Sequence, residues 1–160
     1  MAASPSRAAL VDHLNEDLAR EYQAIISYVV YSQTLKGAEY MNIAKELENH
    51  AGEELQHALI ISKAIDYLGG QPGAVPKPVV VTSKAEEMLR ADLANESETI
   101  RQYRERLREC EGLQEYGIAE DVREIIRQEQ EHLIDLATAL GEDPPDVSKA
   151  LTGADATRVR

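Results

Sequence analysis

A single cysteine, Cys110, stands in a chain of 160 residues. It excludes an intrachain disulfide framework and any zinc or rubredoxin centre built on four cysteines. Tryptophan and phenylalanine are absent, so aliphatic side chains must make up most of the core. Leu, Ile and Val supply 37 of them, enough for one core in a one-domain chain. Basic residues are scarce, 17 against 29 acidic, for a net charge of −12. A protein that grips a phosphate backbone needs a basic face, so nucleic acid is not an expected partner. An acidic surface suits cations instead. No apolar run reaches the roughly 18 residues of a membrane span, and none with a cleavage site opens the chain. No membrane partner is therefore expected, and the expected location is cytoplasmic.

Proline is rare and grouped: Pro5, Pro72, Pro76, Pro78, Pro144 and Pro145. Residues 6–71 and 79–143 contain none, so both stretches are free to be helical. Glu, Arg, Ala, Leu and Gln, all good helix formers, dominate them. Each stretch is too long for one ordinary helix and carries a glycine near its middle, Gly37 and Gly112. The pattern predicts two helical hairpins turning at those glycines. Ser4-Pro5 reads as the cap and first turn of the first helix. Ser83-Lys84-Ala85-Glu86 reads as a capping box, and Gly141 as the closing glycine of the last helix. Gly69 to Thr82, with Val79–Val81 extended, predicts a long crossover, which leaves the relative direction of the hairpins open. The expected organisation is an all-α four-helix bundle over 1–143. A short C-terminal segment follows over 144–160, with a helical turn at Asp146–Leu151 and a disordered end from Gly153 to Arg160.

Each helix carries an apolar stripe at three/four spacing. The stripes are centred on Leu14, Leu18 and Ile25; on Leu47, Ile61 and Ile65; on Leu89, Leu93 and Ile100; and on Val122, Ile125 and Leu136. A glutamate interrupts every one: Glu21, Glu54, Glu96 and Glu129. Glu54 and His57 are three apart and share a face, and Glu129 and His132 repeat the pair. The second half repeats the first 75 residues later, 21 to 96 and 54 to 129. The midpoint of 21 and 54 is 37.5, beside Gly37; that of 96 and 129 is 112.5, beside Gly112. In antiparallel hairpins all four glutamates then lie about 16 residues from a turn, roughly 25 Å along each helix, in one layer.

Four carboxylates in an apolar core cannot stay ionised uncompensated, and no Lys or Arg lies on the stripes. Two divalent cations would balance them, with two imidazoles completing the shells. Mixed carboxylate and imidazole donors suit iron or manganese, and less specifically zinc. A glutamate from each of two helices plus ExxH from each of the other two is the di-iron carboxylate pattern. A hydrogen-bonded polar layer without metal is the alternative.

With these residues the sequence resembles the bacterioferritins and related ferritin-like proteins, from about Leu14 to Leu140. The resemblance rests on Leu14-Asn15-Glu16-Asp17-Leu18 ahead of Glu21, on Glu54-Leu55-Gln56-His57-Ala58, on Leu68-Gly69-Gly70-Gln71-Pro72, on Met88-Leu89-Arg90-Ala91-Asp92-Leu93 ahead of Glu96, and on Glu129-Gln130-Glu131-His132. It implies a ferritin-like antiparallel bundle whose ferroxidase ligands are Glu21, Glu54, His57, Glu96, Glu129 and His132. Glu54 and Glu129 would bridge two irons, Glu21 with His57 and Glu96 with His132 would cap one each, and Tyr28 falls where the family has a tyrosine close to the metals. The family's haem ligand is a methionine directly after the bridging glutamate of the second helix. Here that residue is Leu55, so no haem is expected. The family's C-terminal fifth helix is longer than anything after Gly141, which leaves a cage of 24 subunits, a shell of 12 and a dimer all open.

The function this implies is ferroxidase activity and iron storage or detoxification: Fe(II) is oxidised to Fe(III) with O₂ or H₂O₂ at two irons per subunit of a homo-oligomer. The alternatives are a di-metal redox enzyme that stores nothing, manganese catalase-like or rubrerythrin-like, and a non-catalytic scaffold bundle. Among the remaining residues, Tyr103 reads as a core tyrosine with its hydroxyl satisfied. Asp17 and Asp92 read as orienters of the histidines or as solvated or Arg-paired aspartates. His50 reads as a packed imidazole or a holder of transient iron near Glu53. Cys110 reads as a buried inert thiol.

Overall fold

The structure, a computed structural model, describes residues 6–148. Four helices account for most of them: α1 over Arg7–Thr34, α2 over Met41–Tyr67, α3 over Ala85–Gly112 and α4 over Tyr116–Ala139. Among the described residues there is no strand, and no helix is long and apolar enough to cross a membrane.

The helix ends follow local chemistry. Ser4-Pro5, the expected start, lies outside the described residues; α1 begins at Arg7, where Ser6 Oγ accepts the Ala9 N–H at 3.1 Å. The first turn falls at Gly37, whose φ of +124° favours glycine. α2 closes with Gly69 N–H to Asp66 O and Gly70 N–H to Ile65 O, both 2.9 Å. A side chain at Gly70 would overlap Val11, so this end of α2 lies tight against α1. Two expectations need correction. The box at Ser83 does not form, because Lys84 takes the cap position; instead Thr82 Oγ1 accepts the Lys84 N–H and donates to Glu87. The second hairpin turns just past Gly112, which is the last helical residue, and Gln114 takes the left-handed position at φ +62°. Gly141, at φ +71°, closes α4 as expected.

Hydrogen bonds between helices fix the topology. Tyr28 pairs with Glu96 and Tyr103 with Glu21, and Asp17 with Arg106, so residue numbers across α1 and α3 sum to about 123. That constant sum means an antiparallel pair. Across α2 and α4, His50–Asp135, Glu53–His132 and His57–Gln128 each sum to 185, again antiparallel. The two hairpins are therefore antiparallel to each other, and the crossover must span the bundle's full length. Of the 17 residues between Tyr67 and Ala85, the 15 from Gly70 to Lys84 reach about 50 Å when extended, against roughly 42 Å for a 28-residue helix. The crossover is strapped along α1 on the way. Asn15 holds Gln71 and Gly73, Ala19 O accepts the Lys77 N–H, Gln23 donates to Pro78 O, and Tyr31 donates to Val80 O.

Two apolar clusters fill the interior. Leu14, Leu18, Ile61, Ile65, Val122 and Ile125 pack toward one end, with the Cys110 thiol buried among them. Leu35, Ile43, Leu47, Met88, Leu89 and Leu136 pack toward the other. The interrupting glutamates lie between them. Past Gly141, Val147 is buried against Ile100 and Leu133, and Arg104 donates to its carbonyl at 2.8 Å. Of the expected helical turn at Asp146–Leu151, Val147–Ser148 form a turn held by Asp146; its remainder and the tail from Gly153 lie outside the described residues.

Candidate metal centre

Each helix brings one glutamate to the middle layer: Glu21 from α1, Glu54 from α2, Glu96 from α3 and Glu129 from α4, all buried. His57 and His132 sit one turn beyond Glu54 and Glu129 and are equally buried. The six ligand-type residues read from the sequence thus meet in one place. They form two half-sites, Glu21–Glu54–His57–Glu129 and Glu54–Glu96–Glu129–His132, in each of which one atom per residue lies within 4.8 Å of the others.

Glu54 and Glu129 belong to both half-sites and divide their oxygens between them. Glu54 puts Oε2 at 3.0 Å from His57 Nδ1 and Oε1 at 2.8 Å from His132 Nδ1. Glu129 puts Oε1 at 3.3 Å from His57 Nδ1 and Oε2 at 3.1 Å from His132 Nδ1. Glu21 Oε2 stands 3.5 Å from His57 Nδ1. Three of these inward oxygens, Glu21 Oε2, Glu54 Oε1 and Glu129 Oε1, are buried without a hydrogen-bond partner. Such orphaned acceptors are costly unless something bonds them, and converging carboxylate oxygens are what a cation binds.

The histidines are held from behind. His57 Nε2–H donates to Gln128 Oε1 at 2.6 Å, and His132 Nε2–H donates to Glu53 Oε2 at 2.7 Å. With Nε2 committed as donor, Nδ1 faces the carboxylates and offers its lone pair when neutral. Asp17 and Asp92 do not perform this role. Asp17 is buried in an ion pair with Arg106, 2.6 Å, and with Arg20, 2.7 Å. Asp92 is buried with one oxygen unpartnered, and burial pushes its pKa well above the usual carboxylate range against the Ser27 hydroxyl. The true holders, Glu53 and Gln128, directly precede Glu54 and Glu129 and are themselves 75 apart. The repeat was the signal that could have found them.

Tyr28 and Tyr103 are equivalent. Tyr28 donates to Glu96 Oε1 and Tyr103 to Glu21 Oε1. Each crosses to the glutamate of the opposite hairpin, and both are fully buried. Tyr103 is the core tyrosine with a satisfied hydroxyl that the sequence suggested; its acceptor, a site glutamate, was not named, although the offset of 75 from Tyr28 marked the two as a pair. Burial, then the neighbouring glutamate, raises both phenol pKa values well above normal, so both remain hydroxyl donors.

The electrostatics separate the carboxylates into two pairs. Burial, reinforced by the charges of the other glutamates, raises Glu21 and Glu96 well above the usual range, so they hold protons. Burial also pushes Glu54 and Glu129 upward, but hydrogen bonds from His132 and His57 overcome it and keep both ionised. Burial opposes charge on the imidazoles, yet their carboxylate neighbours raise His57 far above 6.5 and push His132 up to about 12. Without cations the cluster is therefore two carboxylates against two imidazoliums, with two neutral acids. His50, one turn before Glu54, stacks on the His132 ring at 4.0 Å. Burial and the positive His132 lower its pKa.

Residues 11–144 match a family model described as Ferritin, ferritin-like domain. The chain is 30% identical to the bacterioferritin of Desulfovibrio desulfuricans over 128 residues, 79% of this chain and 72% of that protein. It is 26% identical to the bacterioferritin of Brucella melitensis over 141 residues, covering 84% and 88% of the two. Among solved structures, a ferritin-like diiron-carboxylate protein from Bacillus anthracis superimposes with a TM-score of 0.81. Identity is 31%, with 88% of this chain and 99% of that one covered.

Proposed function

The chain belongs to the ferritin-like family, and from that premise we propose that it is a ferroxidase that oxidises Fe(II) to Fe(III) and delivers it to storage in a homo-oligomeric shell in the cytoplasm. The observation that carries this reading is the paired half-sites, in which Glu54 and Glu129 present one oxygen to each imidazole and three inward oxygens, Glu21 Oε2 among them, make no hydrogen bond. In this reading Glu21 and His57 hold one iron, Glu96 and His132 the other, and Glu54 and Glu129 span the two. A donor set of four carboxylates and two imidazoles suits iron, and manganese next. Bound as substrate, two Fe(II) ions supply the two electrons that reduce O₂ to H₂O₂, or H₂O₂ to two waters, with two protons consumed in either case.

The chain's own side chains do the rest. Gln128 and Glu53 fix Nδ1 of each histidine inward. Tyr103 and Tyr28 hold Glu21 and Glu96 by their outer oxygens. Four carboxylates stabilise the Fe(III) charge, and the apolar clusters at either end exclude bulk water. On α1 and α2, Ile26, Val29, Val30, Leu55 and Leu59 are 40–56% exposed, apolar area that a second subunit would cover. Leu55 is among them, at the place of the family's haem methionine, so no haem is assigned. The bundle is taken as 1–143 and the rest as a short appended segment.

The test is an anaerobic Fe(II) titration of the apo protein followed by admission of air, with absorbance and particle size recorded together. Two irons per subunit, then turnover and mineral growing inside a particle of fixed size, is the expected result. Absence of Fe(II) oxidation would refute the reading. Oxidation that stops after two irons in a dimer would refute storage and favour a redox enzyme.

A further inference from the structure

The two half-sites repeat each other in their ligands and differ in what stands behind them. The 75-residue repeat carries Glu21 onto Glu96, Glu54 onto Glu129, His57 onto His132 and Tyr28 onto Tyr103. Each of those pairs keeps its residue type. The position directly before the shared glutamate does not: it is Glu53 in one half and Gln128 in the other. The antiparallel packing of α2 on α4 then crosses the partners. His132 Nε2–H donates to the Glu53 carboxylate at 2.7 Å, and His57 Nε2–H donates to the Gln128 amide oxygen at 2.6 Å. Both partners orient the ring. Only the carboxylate also brings charge, which draws the N–H proton outward and leaves Nδ1 the stronger donor to a cation.

The charges one turn before the α1 and α3 glutamates do not offset this. Ahead of Glu21, Asp17 is ion-paired with Arg106 and Arg20, and Arg106 continues to Glu109 at 2.8 Å. These two acids and two arginines sum to zero. Ahead of Glu96, the repeat puts Tyr31 and Asn95 in place of the arginines, and burial keeps Asp92 protonated, so this side is neutral as well.

We propose that Glu53 and Gln128 set the order in which the centre fills: a divalent cation takes the Glu96–His132 half first and the Glu21–His57 half second. Both are positioning residues that act through the imidazoles. A changed partner behind a metal-bound histidine shifts affinity about 10- to 100-fold. The Glu53 side chain is 42% exposed, and water weakens its field, so the expected gap is about tenfold, the lower end of that range. That the ion is substrate Fe(II) rests on the ferroxidase reading; the order of filling does not.

Zn(II) added at one equivalent per subunit to the full-length apo protein tests the order, with anomalous diffraction at the zinc edge reading the occupancy of each half. A tenfold affinity ratio divides one equivalent about three to one, the square root of ten, in favour of the His132 half. Glu53→Gln and Gln128→Glu should each bring the split to even, and Glu53→Gln/Gln128→Glu should reverse it. Both side chains are partly exposed, so the variants keep the fold, and a merely structural role would not produce a reversal. An even split in wild type, or an excess at the His57 half, overturns the proposal. So does an order that the exchanged variant retains, because another neighbour then sets it. No Zn(II) at either half overturns the metal-centre reading and the order with it. Ordered filling by a wild type that never oxidises Fe(II) overturns the ferroxidase reading and leaves the order standing.

Discussion

Loading the centre with two redox-inert divalent ions such as Zn(II) should expel about four protons per subunit at neutral pH. The cation-free cluster holds one proton on each of Glu21 and Glu96 and an extra one on each of His57 and His132. Its charge is zero, two carboxylates against two imidazoliums. Two divalent ions against four carboxylates and two neutral imidazoles also sum to zero, so the exchange conserves charge only if all four protons leave. The pH dependence follows with a definite sign. The four protons compete with the ions, so affinity rises with pH. Two protons per ion, at about 1.36 kcal/mol per proton per pH unit, make each ion bind about 100-fold more tightly per unit. Calorimetry in buffers of different ionisation enthalpy counts the protons directly. Glu21→Gln, which mimics the protonated acid, should lower the count by one. A release of one proton or fewer in wild type, or affinity independent of pH between 6 and 8, would refute the charge assignment.

Glu54→Ala or His57→Ala should abolish fast Fe(II) oxidation, each by emptying a place shared by the half-sites or opposite an orphaned oxygen; stopped-flow initial rates equal to wild type would contradict the site assignment. Tyr28→Phe and Tyr103→Phe should each destabilise the apo protein, by about 1–3 kcal/mol for a buried acceptor left without its donor. Because the two contacts are equivalent, urea denaturation should give similar losses; a loss for Tyr28 alone would break the equivalence. Arg106→Leu should cost about 1.5–3 kcal/mol for the lost hydrogen-bonded charge pair, Arg20 remaining as the partner of Asp17, whereas Asp17→Leu with Arg106→Leu should recover part of it. Thermal melts of Arg106→Leu, Asp17→Leu and the double variant decide this, and an additive double variant would show that the pair is not coupled.

Much of the fold was legible because helices write their periodicity into the sequence. Proline placement marked two helical stretches, apolar spacing marked their buried faces, and the offsets of 33 and 75 put four glutamates in one layer. The ExxH pairs pointed to a di-metal centre because carboxylates on an apolar stripe need compensation. Hidden were the choices between neighbours. A stripe says which face is buried, not which helix it meets. The direction of the second hairpin was open until the crossover was seen strapped along α1. Only then does Tyr28 meet Glu96 instead of the glutamate on its own helix, and Asp17 meet Arg106 instead of a histidine.

The sequence by itself thus determined the helices, the two-fold repeat and the six polar residues on its axis, since these depend on chain-local spacing. The tertiary structure alone decided what surrounds them: the tyrosines that cross between hairpins, Gln128 and Glu53 behind the histidines, and the pairing of His50 with Asp135. Those contacts join residues 68 to 85 positions apart, and only the antiparallel packing of α1 on α3 and of α2 on α4 brings them within hydrogen-bond reach.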